Sequence, residues 1–335
     1  MIKNNWNDVI QSSEHSTAYH LRQWSELLEK VHGHKLICLH NGDSVFPVAY
    51  VKSHIFGNRL ISLPFADYGG PCASSNAAAT ELIAQSKALA ERLDVDFIEV
   101  RSPDAQYHDA FEAHGFVKRD DYLTFVLKLD KTLQELWKGV GPKIRNKVRK
   151  AEKSDVKIVE PTDKNAIKAF YQIYEKTMKK LGSPPQPLAF FKRIWDLFYP
   201  DNLKMPLAIY NGEYIAAGIY LLHKSKIHHS FSGSLDKYLS FAPNNLIQWH
   251  MIKWGNEHGY NQFCFGRTRP YKGHYYFKKP WGGDQVIMPY FYKFFGKVLE
   301  SRQEIKYKRL SRLWANYMPE QLAGLIGPWI IKQIG

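Results

Sequence analysis

The chain has 335 residues, enough at roughly 100 to 200 residues per domain for two or three domains with sizeable cores, which excludes a small stapled fold. Lys and Arg outnumber Asp and Glu 46 to 32, a net charge of +14, and 44% of the residues are hydrophobic. That balance excludes a disordered chain and points to a globular protein that favours anionic partners: nucleic acid, phosphate groups or an acidic membrane surface. Cys38, Cys72 and Cys264 are an odd number at wide spacing with no CxxC and no His cluster, so no metal site is expected and a reducing compartment fits. Residues 1–7 lack an apolar signal core, and no run reaches the roughly 20 apolar residues that span a bilayer, so a cytoplasmic location is expected.

In chain order, Leu21, Trp24 and Leu28 at i, i+3, i+7 predict a helix over 21–30. Two apolar runs, 36–39 and 45–51, flank Asn41-Gly42, a pair that supplies the positive φ values of a tight hairpin turn. A helix over 76–93 opening on Asn76, a buried-looking strand over 96–102 ending in Arg101-Ser102, and a short segment from His108 through Phe111-Glu112-Ala113 follow. Thr132 and Glu135 form a capping box, 139–142 breaks the helix, and 143–152 resumes it with Ile144, Val148 and Ala151 on one face. This basic amphipathic connector has the pattern of a solvated face with an apolar anchor.

The same grammar then returns. Phe191, Ile194 and Phe198 predict a helix over 190–198; runs 207–210 and 215–222 flank Asn211-Gly212 at an offset of 170 residues; a helix over 244–258 is closed by Gly259; and a strand over 262–268 ends in Arg267-Thr268. Helix, hairpin, helix, strand, short helix and strand thus occur twice, which predicts an internal duplication of an α/β (α+β mixed-sheet) fold. The expected divisions are a first, supporting domain over 1–130, the connector over 131–157, a second, working domain over 158–295, and a basic helical tail over 296–335. In that tail Leu322, Leu325, Ile326, Trp329 and Ile330 form a stripe. With Trp314, Tyr317 and the preceding basic run, the stripe either packs on its own protein or lies on an anionic membrane.

The positive charge is local. Residues 138–157 hold eight basic residues against Glu152 and Asp155, 267–279 hold five against none, and 293–312 hold seven against Glu300 and Glu304, leaving the remainder close to neutral. Superposing the halves sets Phe111-Glu112-Ala113 opposite Phe277-Lys278-Lys279 and His108 opposite His274. Only the second copy has cations there, so it is the candidate working copy. Its segment 266–283 joins cations, aromatics and glycines directly after a strand, where ligands of open α/β sheets gather.

These residues carry a resemblance. Arg145-Asn146-Lys147-Val148-Arg149-Lys150-Ala151-Glu152-Lys153-Ser154-Asp155-Val156, Leu181-Gly182-Ser183-Pro184, Pro243-Asn244-Asn245, Phe265-Gly266-Arg267, Phe277-Lys278-Lys279-Pro280-Trp281-Gly282-Gly283 and Leu63-Pro64-Phe65-Ala66-Asp67-Tyr68-Gly69-Gly70-Pro71 resemble, in order and spacing over residues 20–295, the FemABX (FemAB-like) family. The resemblance implies two tandem GNAT-like domains and transfer of an acyl or aminoacyl group onto an amine, typically from aminoacyl-tRNA to a peptidoglycan precursor. It also implies that Lys278 is the catalytic lysine.

Attack of an amine on an ester or thioester carbonyl builds negative charge on oxygen, which a fixed cation stabilises. Lys278 is the candidate for that task. Arg267 is the candidate for a phosphate or carboxylate, and Tyr275, Tyr276, Phe277, Lys279 and Asn245 are candidates for substrate binding. Asp67, Tyr68 and Arg101, at the matching ends in the first half, are candidates for holding the acceptor. Arg267 paired with an acid in the core, packed tyrosines, and Asp67 capping a turn are the structural alternatives. No nucleophile elbow or Ser-His-Asp order is present, so direct attack in a ternary complex is expected, with no tightly bound cofactor.

The expected co-substrates are a phosphate-bearing donor, namely acyl-CoA, acyl-carrier protein or aminoacyl-tRNA, and a nucleotide- or lipid-linked amine acceptor of the peptidoglycan or polysaccharide pathway, met at the inner face of the cell membrane. Two departures from the resembled family bear on the donor: the long helical arm that many of its aminoacyl-tRNA-using members insert in the second domain has no pattern in 158–260, which argues against tRNA, and 234–245 lacks the Gly-rich turn of acetyl-CoA-using GNAT enzymes, which argues against ordinary acetyl-CoA use. The alternatives are an aminoacyl-tRNA-dependent peptidoglycan bridge transferase, and a nucleic-acid-binding or membrane-peripheral scaffold without catalysis.

Overall fold

The computed structural model describes residues 6–102, 105–296, 311, 313, 314, 316 and 318–335. The expected basic helix over 297–310, Arg312, Tyr317 and the Leu325 side chain lie outside the described residues. In chain order the first elements are α1 (Trp6–Ser12), α2 (Arg22–His32), β1 (Lys35–Asn41), β2 (Ser44–Val51), β3 (Arg59–Ile61), α3 (Asn76–Arg92), β4 (Phe97–Arg101), α4 (His108–Ala113) and β5 (Val117–Arg119). Next come β6 (Leu123–Lys128), α5 (Leu133–Gly139), α6 (Pro142–Lys153), β7 (Lys157–Val159), α7 (Ala166–Lys180), α8 (Leu188–Phe198), β8 (Leu203–Lys204), β9 (Leu207–Tyr210), β10 (Glu213–His223) and β11 (Lys226–Ser234). The chain continues with α9 (Pro243–Glu257), β12 (Gln262–Cys264), α10 (Gly273–Lys278), β13 (Asp284–Ile287), β14 (Tyr290–Phe294) and α11 (Glu320–Ile334).

Two compact units result. Of the described residues, the first holds those up to 123 with 287–296 and 329–335; the second holds 124–286 with those of 311–328. The first has a six-stranded sheet in the order β1-β2-β3-β4-β14-β5, with β3 and β4 parallel. Phe46, Val48, Leu60, Ile98, Val100 and Phe291 bury one face of it against Leu82, Ile83 and Phe111 of α3 and α4, as the apolar spacing on those helices requires. The second has the order β13-β6-β12-β11-β10-β9-β7, with β8 beside β10 and β11 parallel to β12. The mixed α/β class and the twofold repeat are therefore as expected.

The repeat is interleaved in a way that local patterning does not reveal. Strand β6, expected to close the first domain, pairs with β12 in the second sheet, and β14, expected to close the second, pairs with β4 and β5 in the first. The units accordingly change over at 123/124 and 286/287, not at 130/131 and 295/296. Strand partners are chosen by long-range pairing, whereas alternation along a run reports only which face is buried.

The two hairpins also differ. Tyr210 pairs with Glu213 around Asn211 (φ 48°) and Gly212 (φ 79°), the expected turn with both central φ positive. In the first, Asn41 is already paired with Ser44, so the turn is Gly42-Asp43 and lies one residue later than expected. The helix starts need a similar correction. Helix α3 is capped by Ser75, whose Oγ accepts from the Ala78 N–H, and not by Asn76. Helix α9 opens on Ala242 in the left-handed region (φ 56°) with Pro243 at its first turn, while Asn244 Nδ2 donates to Ser234 Oγ at 2.9 Å. In the tail Leu322, Ile326 and Trp329 are exposed, and Ile331 and Gln333 are buried.

Candidate active site

In the second unit β11 and β12 run side by side only from Lys226↔Gln262 to His228↔Cys264. Beyond that point β11 continues to Ser234 against β10, past a bulge at Ile219/Tyr220. The chain leaves β12 through Phe265 and Gly266, the latter at φ 73°. The two parallel strands thus cease to pair at their carboxyl ends, and no described strand pairs with 229–234 on that side of β11.

Helix α9 follows β11 after a 3-10 turn over Asp236–Phe241 and packs on β10 and β11. Asn245 is 4% exposed and Gln248 is 1% exposed. Neither Asn245 Nδ2 nor Gln248 Nε2 has a hydrogen-bond partner among the described residues. Gln248 Oε1 accepts from the Tyr220 hydroxyl at 3.2 Å, and burial pushes the Tyr220 phenol well above its ordinary range. A buried amide N–H without a partner is costly, so two of them on one helix face are donors poised for a carbonyl, a phosphate or water. The outer side of α9 is tied to the sheet by Glu160, whose Oε1 lies 2.7 Å from His250 Nε2 and whose Oε2 accepts from Lys204 Nζ at 3.0 Å.

The segment after β12 supplies the cation. Lys278 is 8% exposed at the end of α10, and its Nζ donates to the carbonyls of Gly266 (2.8 Å) and Arg267 (2.9 Å). The ammonium is thereby fixed at the point where the strands part. Thr124 Oγ1 donates to the same Gly266 carbonyl at 3.0 Å. Tyr275 is buried with its ring 5.5 Å from Phe125. Phe277 is half-buried near Trp281, Tyr276 and Lys279 are exposed, and Arg267 is half-buried with its carbonyl held by Lys278. Lys278, Arg267, Tyr275, Tyr276, Phe277 and Lys279 thus share one loop-and-helix segment of this unit.

The Pro280-Trp281-Gly282-Gly283 run holds that segment in place. Trp281 is fully buried. A Cβ at Gly282, whose φ is +84°, would lie 2.8 Å from the Gly139 carbonyl oxygen, and one at Gly283 would lie 3.0 Å from Val126 backbone atoms. Only glycine permits this approach. Gly141 N–H donates to the Pro280 carbonyl at 2.7 Å, so the start of α6 abuts the segment. The Trp137 and Trp249 rings, 4.7 Å apart, join α5 to α9.

The remaining candidates belong to the first unit. Arg101 is 6% exposed: its Nε and Nη2 both lie 2.8 Å from Glu99 Oε1, and its Nη1 donates to the Ala66 carbonyl at 2.8 Å. Its guanidinium therefore holds the loop over 62–70, in which Leu63 (φ 50°) and Phe65 (φ 60°) take the left-handed region. Asp67 and Tyr68 are half-buried in that loop. The expected equivalence of Arg101 and Arg267 is one of sequence position only, because β4 extends through Arg101 whereas β12 ends at Cys264.

Sequence reasoning missed Thr124, Gln248 and Tyr220. A threonine among apolar strand residues and a glutamine in a helix carry no local mark; only their placement beside Gly266 and on the inner face of α9 reveals them. Among the described residues no group of three or more His, Cys, Asp or Glu is placed to hold a metal ion, and no helix is long and apolar enough to cross a membrane.

Residues 142–279 match the family model described as an acetyltransferase (GNAT) domain. A UDP-N-acetylmuramoylpentapeptide-lysine N(6)-alanyltransferase of Weissella viridescens is 24% identical over 45% of this chain and 51% of its own. A lipid II:glycine glycyltransferase of Staphylococcus aureus is 22% identical over 61% of this chain and 68% of its own. The chain thus spans about half the length of the first relative and two thirds of the second. Among solved structures, that of FemX superposes with a TM-score of 0.72 at 17% identity, covering 90% of this chain and 98% of the other. A tandem GNAT protein from the clavulanic acid biosynthesis pathway superposes at 0.55 with 10% identity, covering 88% and 95%. The fold of this chain is that of a tandem GNAT protein.

Proposed function

We propose, for a chain that belongs to the FemABX family of tandem-GNAT-fold transferases, that its second unit moves an acyl or aminoacyl group onto the amine of a cell-envelope precursor. The observation that carries this reading is the Lys278 ammonium, fixed by two carbonyls where β11 and β12 part. The amine nitrogen attacks the donor carbonyl carbon, the oxygen takes up negative charge, and collapse expels the alkoxide or thiolate of the donor, which takes the proton that the amine loses. A cation held beforehand near that oxygen stabilises the transition state more than the ground state and needs no reorganisation during the step. The similarity to an alanyltransferase and a glycyltransferase supports peptidoglycan-type acceptors.

In this reading the donor is an aminoacyl-tRNA, an acyl-CoA or an acyl-carrier protein, and the acceptor is nucleotide- or lipid-linked. Asn245 and Gln248 supply amide donors to the substrate from α9, Arg267 takes a phosphate or carboxylate, and Asp67 and Tyr68 contact the acceptor, with Arg101 positioning their loop. Direct attack is favoured because the sequence holds no nucleophile elbow and no Ser-His-Asp order. The exposed row Leu322, Ile326 and Trp329 supports a peripheral position at the inner face of the cell membrane.

The test is a transfer assay read by mass spectrometry. UDP-linked and lipid-linked muropeptides are each incubated with aminoacyl-tRNA, acyl-CoA and acyl-carrier protein. Growth of one acceptor by one acyl or aminoacyl unit is the expected result, and no product from any pair contradicts the proposal. Vesicle flotation with and without the triple change Leu322, Ile326 and Trp329 to Ser reads the membrane position separately.

A further inference from the structure

The last turn of α11 meets the first unit in a way that the transfer chemistry itself does not need. Leu322, Ile326, Trp329 and Gln333 recur at i, i+4, i+7 and i+11, so they share one face of the helix. The first three are exposed, whereas Gln333 is 5% exposed. Both of its oxygens are engaged by the first unit. The side-chain Oε1 accepts the His54 N–H at 3.1 Å, and the main-chain carbonyl, one that a helix end leaves without an intrahelical partner, accepts from Arg59 Nη2 at 2.6 Å. A Cβ at Gly335 would lie 2.7 Å from Ile61 Cδ1, so this turn is packed closely on β3.

The docked turn gathers basic groups around a buried imidazole. Arg59 is buried with its guanidinium 5.7 and 6.0 Å from the Phe56 and Phe97 ring centres. Burial lowers it to about 10 against the pull of Glu99 and Asp96, so it keeps its charge. Lys332 is exposed, yet its Nζ lies 3.6 Å from where a Cβ at Gly33 would stand. His34, the next residue, is 4% exposed, with its ring 5.4 Å from that of His32 and 6.4 Å from Phe65. Its Nε2 has no hydrogen-bond partner among the described residues. The titratable groups that act on it are all bases, His32 of α2, Lys332 of α11 and Arg59 of β3, while Glu99 and Asp96 act on Arg59. Burial first, then these three groups, hold His34 at about 3 against an ordinary 6.5. The site accepts a neutral ring and opposes an imidazolium.

We infer that the last turn of α11 is a clasp on the first unit, closed over neutral His34 and opened when that imidazole takes up a proton from solvent. Opening moves Lys332 away and admits water to the ring, and both changes favour the imidazolium. Because the closed form binds this proton less readily than the open one, closure is fully favoured above about pH 6.5 and weakens as the pH falls toward 3. Opening also uncovers the last position of the face that Leu322, Ile326 and Trp329 begin. It reaches Phe65 as well, whose ring lies 4.9 Å from that of His32. Only this last consequence, for the loop that carries Asp67 and Tyr68, rests on the proposed acceptor role; the clasp is measurable without it.

Amide exchange of the full chain, corrected for the intrinsic pH dependence of the reaction, is followed by mass spectrometry in the segment 329–335 and in β2 and β3. With the open ring back at its ordinary value, the open fraction of 329–335 is expected to rise about 25-fold from pH 7 to pH 5, while β2 and β3 keep their protection. His34→Gln is expected to remove that rise and Lys332→Met to reduce it. Gln333→Ala gives up one attachment, so it is expected to raise the open fraction at pH 7 and to keep the pH dependence. Lys332→Met changes an exposed side chain and keeps the measurement decisive if His34→Gln does not fold. A rise of less than about threefold in the wild type, an equal rise in His34→Gln, or a parallel loss of protection in β2 and β3 overturns the inference. Failure of transfer with every donor contradicts the proposed function alone, and unchanged exchange at 329–335 contradicts the clasp alone.

Discussion

Glu160 links β7, β8 and α9, and so fixes the helix that carries Asn245 and Gln248. The His250 hydrogen bond, then Lys204, hold its carboxyl at about 2 against an ordinary 4.5, with burial opposing them. At about 1.4 kcal/mol per unit, this shift corresponds to roughly 3 kcal/mol of stability at neutral pH. The Glu160 side chain is 28% exposed and Lys204 27%, so solvent screening lowers the expected figure to about 1–2 kcal/mol. Because the folded-state value is depressed, the contribution is complete above about pH 5 and is lost as the pH falls toward 2, with more than half gone by about pH 3. Urea unfolding of the wild type and Glu160→Gln, followed by α9 tryptophan fluorescence, measures it. The stability gap is expected at pH 7 and shrinks on acidification. A gap that is absent at pH 7, or that persists unchanged to pH 3, refutes the reasoning.

Gly282→Ala meets both a positive φ and the Gly139 carbonyl oxygen 2.8 Å away, so a loss of about 1–3 kcal/mol is expected by denaturant melt. Arg101→Met removes the cation paired with Glu99, 13% exposed, and leaves only the neighbouring Arg59 charge to offset it; the expected cost is at the lower end of that for breaking a buried pair, about 3 kcal/mol in the first unit, and adding Glu99→Leu returns most of it. Thr124→Val removes one hydrogen bond to the Gly266 carbonyl, with an expected loss of about 1 kcal/mol in stability and a reduction in turnover of less than tenfold.

The sequence carried the repeat, the class of fold and the cationic segment after β12, because apolar spacing, Asn-Gly turns and runs of like charge are local signals. It did not carry the exchange of β6 and β14, since a strand's partner is decided by residues far along the chain. Lys278 stood out as a cation behind an aromatic; its two carbonyl acceptors did not, because they depend on the left-handed turn at Gly266. Arg101 and Arg267 read as equivalents, yet Glu99 two residues away on the same strand binds the first. The exposure of Leu322, Ile326 and Trp329 likewise escaped periodicity, which finds an apolar stripe but not what covers it.

Single-turnover transfer by Lys278→Met, with donor affinity measured in parallel, tests the central claim most directly. The substitution keeps the length of the side chain and removes the charge. A fall in the transfer rate of about 10²- to 10³-fold, with donor binding within a few-fold of wild type and the fold intact by circular dichroism, is the result predicted for a cation that stabilises the developing oxyanion. A folded Lys278→Met protein that transfers at a rate near that of the wild type would contradict it.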